Sequence, residues 1–129
     1  MAKQAVSTDA APPPGGAYSQ AIKAANLVFI SGQTPRDLSR ALIDGSFEEQ
    51  AHACFSNLRT VAEAADASLA DAVRVTVYLE DMGHFETMDR VYAEYFPEPR
   101  PARTTIQSNI PVPIEVDAIL CSDGVGRAP

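Results

Sequence analysis

Two side chains stand out as candidates for chemistry. Glu115 is second in the run Ile114-Glu115-Val116-Asp117-Ala118-Ile119-Leu120-Cys121. Alternation puts Ile114, Val116, Ala118 and Leu120 on one strand face and Glu115, Asp117, Ile119 and Cys121 on the other. A carboxylate sharing a face with Ile119 is held part-way out of water. Burial without a partner is costly for a carboxylate or raises its pKa. The alternatives are a wetted strand face, or an ion pair with Arg74 or Arg103. Arg103 follows Pro101-Ala102 and opens a strand. Its planar guanidinium can grip a carboxylate or phosphate through two parallel N–H bonds. A plain surface arginine fits that pattern as well.

Other reactive residue types are scattered. His52 and Cys54 are two apart on a helix and point to different faces, and His84 lies near a helix start, so no metal centre is expected. Cys54 and Cys121 belong to no CxxC pair and read as small, mostly buried groups without a disulfide. No GxGxxG, Walker, GxSxG or HExxH motif occurs, which leaves nucleotide cofactors and the common hydrolase classes unsupported.

The elements that must position these groups are legible. Residues 1–15 end in a proline–glycine cluster and read as a flexible or polyproline lead-in. Tyr18-Ser19-Gln20-Ala21-Ile22 and Leu27-Val28-Phe29-Ile30-Ser31 read as hairpin strands around Ala24-Ala25-Asn26, and Arg40-Ala41-Leu42-Ile43 as a short edge strand. Ser46 and Glu49 form a capping box, opening a helix whose apolar stripe runs Phe47, Ala51, Cys54, Phe55, Leu58, Val61, Ala62, Ala65. The segment 66–71 breaks it. Val73 to Leu79 alternates as a strand. Phe85, Met88, Val91, Tyr92, Tyr95 and Phe96 mark a second helix, ended by Pro97. Strands over 103–107 and 114–121 follow, and a loose tail over 122–129.

This order predicts one α+β domain spanning 1–129, with both helices on one face of a mixed sheet. A chain of 129 residues buries roughly two-thirds of its unfolded surface, enough for a core without metals or disulfides. The strands are apolar on both sides, so the face away from the helices needs a cover, and self-association is expected. A net charge of −7 argues against binding nucleic-acid backbones. No apolar run reaches a membrane span, and no signal-peptide core opens the chain, so a cytoplasmic protein is expected.

Together, six segments resemble the RidA (YjgF-like) family of reactive-intermediate deaminases. They are Gly16-Ala17-Tyr18-Ser19-Gln20, Phe29-Ile30-Ser31-Gly32-Gln33, Val73 to Met82, Val91 to Phe96, Pro101-Ala102-Arg103-Thr104 and Ile114 to Ile119. The resemblance implies a chorismate-mutase-like α+β fold and a homotrimer whose sheets form a barrel, with ligand clefts between subunits. It implies hydrolysis of 2-imino or enamino acids, such as 2-iminopropanoate and 2-iminobutanoate, to 2-keto acids and ammonia, with no metal and no organic cofactor. Arg103 would bind the substrate carboxylate and Glu115 would activate water. Tyr18, Ser31 and Gly32 would line the pocket, with Thr105 and Asp89 at its border. The chain departs from the family pattern at Ala17, Thr105, Asp89, the segment 34–40 and a shortened loop before Glu115. These departures leave open a trimeric carboxylate-binding protein without turnover, or a related enzyme acting on another substrate in a degradation pathway.

Overall fold

A computed structural model describes residues 2–122. Six strands form one sheet: β1 (Gln4–Val6), β2 (Ala21–Ala24), β3 (Leu27–Gln33), β4 (Ala72–Leu79), β5 (Ala102–Gln107) and β6 (Ile114–Cys121). Two helices, α1 (Phe47–Ala64) and α2 (Phe85–Tyr95), complete it. The spatial order is β1-β2-β3-β6-β4-β5, antiparallel except for the parallel pair β4–β5. That pair is parallel because α2 lies between its strands in sequence and returns the chain to the same end.

The predicted α+β architecture is present. Alternation in β6 is strict: Ile114, Val116, Ala118 and Leu120 are buried, and the residues between them are half-buried. Their buried side faces α1 and α2 and forms the core with Val28, Val75, Val77, Phe55, Leu58 and Val91. The capping box is as predicted. Ser46 Oγ accepts from Glu49 N at 3.1 Å, and Ser46 N donates back to Glu49 Oε1 at 3.0 Å.

Three expectations are corrected. The lead-in is not free chain, because Gln4–Val6 pairs with β2 as an edge strand. The buried Gln20 side chain then donates to Thr8 O and Pro12 O and accepts from Thr8 N. The first hairpin strand begins at Ala21 rather than Tyr18, since Gln20 is turned to hold the lead-in. Arg40-Ala41-Leu42-Ile43 is not a strand; a single bridge, Arg36 to Leu42, closes that loop. The tail expected over 122–129 lies outside the described residues, apart from Ser122.

The face away from the helices carries Phe29 and Ile106, each 41% exposed, and Val73 at the irregularity of β4 is 48% exposed. Half-buried Tyr78 lies among them, donating to Asp117 at 2.9 Å. An apolar surface of this kind is one that self-association would cover.

Candidate active site

Glu115 opens β6 opposite Tyr78 on the uncovered face. Its carboxylate lies directly over the backbone of Gly32, where a Cβ would collide with Oε2. Any side chain there would displace the carboxylate from this position. The register of β3 against β6 slips between Ile30 and Gln33, and this irregularity presents Ser31 and Gly32 to the carboxylate. Ser31 Oγ donates to Ser19 O at 2.6 Å, fixing the strand to the lead-in. Burial pushes the Glu115 carboxyl above its ordinary range, Asp117 pushes it further, and Arg36 opposes both. No ion pair forms between Glu115 and Arg74 or Arg103 among the described residues.

A cleft of about 390 Å³ opens in front of this carboxylate. Tyr18, Ser31, Gly32 and Arg36 line it, with Pro12 to Pro14 on one wall and Pro111-Val112 on another. The volume suits a small molecule. Tyr18 Oη accepts from Gly15 N at 2.9 Å, so its ring is held at the rim.

Arg103 lies elsewhere. It aligns with Val75 on β4, a core position, and therefore points to the helix side of the sheet. Its Nη1 donates to Asp89 Oδ1 at 2.8 Å, and its guanidinium lies 4.6 Å from the Tyr92 ring centroid and 5.6 Å from that of Phe85. This stacking holds the planar group while its charge is met by one carboxylate. Thr105 is two residues along on the same side, its Oγ1 buried without a hydrogen-bond partner. Burial pushes the neighbouring Tyr92 hydroxyl up to about 12, with Arg103 and Arg100 opposing.

The candidate residues thus fall into two groups. Tyr18, Ser31, Gly32 and Glu115 meet in one cleft. Arg103 and Asp89 border a second groove with Tyr92 and Arg100, and Thr105 sits beside Arg103 on β5. Within one chain the two groups are on opposite faces of the sheet. Sequence reasoning passed over Arg36 and Arg40, which also line the Glu115 cleft. The signal was available: segment 34–40 departs from the family pattern. It also passed over Tyr92 as the support for Arg103. Among the described residues no group of three His, Cys, Asp or Glu is placed to hold a metal ion, and no helix is long and apolar enough to cross a membrane.

The family model described as endoribonuclease L-PSP matches residues 8–121. A RutC family protein of Pyrococcus abyssi is 45% identical over 123 residues, covering 92% of this chain and 97% of that protein. A protein of Dermatophagoides farinae named 2-iminobutanoate/2-iminopropanoate deaminase is 34% identical, covering 81% of this chain and 82% of its own. The solved structure of RidA from an Antarctic Psychrobacter superposes with a TM-score of 0.87 at 37% identity, over 92% of this chain and 99% of that one. On these likenesses the chain belongs to the endoribonuclease L-PSP family, that of the RidA (YjgF-like) proteins.

Proposed function

We propose that this protein hydrolyses 2-imino acids of the 2-iminopropanoate and 2-iminobutanoate class to 2-keto acids and ammonia. The observation that carries this reading is Glu115: a half-buried carboxylate with a raised pKa, over Gly32, in a small-molecule cleft. Water adds to the electrophilic imine carbon while Glu115 takes a proton from it and delivers one to nitrogen. In the resulting carbinolamine the hydroxyl proton passes by the same carboxylate to nitrogen. The C–N bond breaks, the C=O bond forms, ammonia leaves and Glu115 is again ionised. No cofactor is required for this balance.

Arg103 is assigned the substrate carboxylate. Because it lies across the sheet from Glu115 within one chain, the assignment requires a site shared between copies, with Arg103 from one and Glu115 from the other. The exposed Phe29, Val73 and Ile106 support such an assembly, a homotrimer with clefts between subunits. The family's endoribonuclease name suggests RNA as a second substrate class. A net charge of −7 weighs against it, since RNA binding rests on cationic surface.

The test is to generate 2-iminobutanoate in place from threonine with a pyridoxal-phosphate dehydratase and to follow imine loss. Acceleration by the wild type that disappears in Glu115→Gln and Arg103→Ala is expected. No acceleration by the wild type would sink the deaminase reading and leave a carboxylate-binding protein.

A further inference from the structure

The cleft in front of Glu115 contains two arginines, Arg36 and Arg40, against a single carboxylate. This is an excess of positive charge in a protein whose net charge is −7. Neither arginine forms an ion pair among the described residues, whereas Arg103 is already paired with Asp89. Arg36 donates from Nη1 to Arg40 O at 3.1 Å, and its Nε is buried with no hydrogen-bond partner. Arg40 donates from Nη1 to Pro13 O at 2.7 Å, which ties the loop to the proline wall.

The loop that carries these side chains is a built structure. Asn57 of α1 donates to Thr34 O at 2.9 Å and to Arg36 O at 3.0 Å. Gln50 holds Ile43 O at 3.0 Å, and Ile43 N donates to Pro35 O at 2.8 Å. Two helix side chains and the Arg36–Leu42 bridge therefore fix the backbone from which Arg36 projects. An arginine placed this rigidly loses less entropy on binding an anion than one on a free loop. Arg36 acts on Glu115 through space but forms no ion pair with it among the described residues, so in a concave site it can still attract and orient an anion.

We infer that Arg36 is a specificity residue that receives a second acidic group on the substrate, so that the cleft favours 2-imino dicarboxylic acids over monocarboxylic ones. The inference rests on the deaminase reading for its substrate class and deepens it. Arg103 takes the carboxylate next to the imine, and Arg36, which lines the same cleft as Glu115, takes the side-chain carboxylate. Arg40 at the rim adds charge without a separate role.

The test reads binding, not turnover. The full chain is titrated calorimetrically with 2-oxoglutarate and with 2-oxopentanoate, which has the same carbon skeleton length and no second carboxylate. The wild type is expected to bind 2-oxoglutarate on the order of tenfold more tightly, as a charge-assisted hydrogen bond provides. Arg36→Leu is expected to bring that ratio close to one, and Arg36→Lys to restore part of it. Equal binding by the wild type, or no binding of either acid, overturns the inference. A preference that survives Arg36→Leu overturns it too. So does equal weakening of both acids, because Arg36 then holds the shared group or only braces its loop. Should Arg36→Leu fail to fold, the wild-type ratio and Arg36→Lys decide. Absence of imine hydrolysis would remove the deaminase reading and leave this binding result standing.

Discussion

Arg103 lies against Tyr92 and Phe85 with Asp89 at 2.8 Å, on the side of the sheet covered by helices. Glu115, on the uncovered side, faces another carboxylate, Asp117, and has no cation at ion-pair distance among the described residues. One region pairs its charge directly, and the other leaves its carboxylate without a direct ion pair, with Arg36 acting on it only through space. Satisfied groups stabilise a fold and hold geometry, whereas burial that raises a carboxylate above its ordinary pKa makes it readier to hold a proton. On the proposed function, the α2 side positions substrate and the open face transfers the proton.

The sharpest way to break this comparison is Glu115→Gln. It keeps the shape and removes the proton acceptor, so imine hydrolysis should fall about 10²- to 10⁴-fold. The fold should be kept, because removing the charge also removes repulsion with Asp117. The pH dependence follows from the direction of the Glu115 shift. The working form is ionised, so the acid limb of kcat/KM should lie above the ordinary carboxylate range and move down in Asp117→Asn. Stability has the opposite sign. The folded chain holds this proton more tightly than the unfolded one, so the Glu115 contribution declines as pH rises from the unfolded pKa through the raised one. Chemical denaturation across that window should show a flatter pH profile in Glu115→Gln.

Core and open face separate in a pair of truncations. Phe55 is fully buried and edge-on to Tyr92 and Phe96, and Phe55→Ala should cost about 3–5 kcal/mol in denaturant unfolding. Phe29→Ala, at 41% exposure, should instead lower the oligomer mass seen by sedimentation at dilute concentration. A larger unfolding cost for Phe29→Ala than for Phe55→Ala would reverse the assignment of the two faces.

Gly32→Ala tests how closely the glutamate is placed. The added methyl meets the Glu115 carboxylate, so the carboxylate must move, with an activity loss of about ten- to a hundredfold. The smallest effect is expected on the other side. Asp89 is an exposed partner of Arg103, and Asp89→Asn should tighten 2-keto acid binding by roughly two- to fivefold, since exposed pairs contribute only about 0.2–1 kcal/mol. Weaker binding would show that Asp89 orients Arg103 more than it competes for it.

Much of the fold was readable because local patterns carried it. Ser46 and Glu49 announce α1, and the alternation of β6 sorts core from open face. The errors came where a distant contact decided the outcome. Gln4–Val6 has no strand signature of its own and is ordered by pairing with β2, while Gln20 leaves its strand to bind Thr8 and Pro12. Arg40-Ala41-Leu42-Ile43 has strand-like residues but no neighbouring strand beyond one bridge.

By itself the sequence determined the α+β class, the helix-facing core positions, the identity of Glu115 and Arg103 as the reactive pair to consider, and the family through six ordered motifs. These follow from periodicity and side-chain chemistry, which are local. Only the tertiary structure decided that Glu115 lies over Gly32, that Arg36 joins its cleft, and that Arg103 is paired with Asp89 on the opposite side of the sheet. The physical reason is register. Which residues align across β4, β5 and β6 depends on hydrogen bonding between strands far apart in sequence, and a shift of one position exchanges the faces.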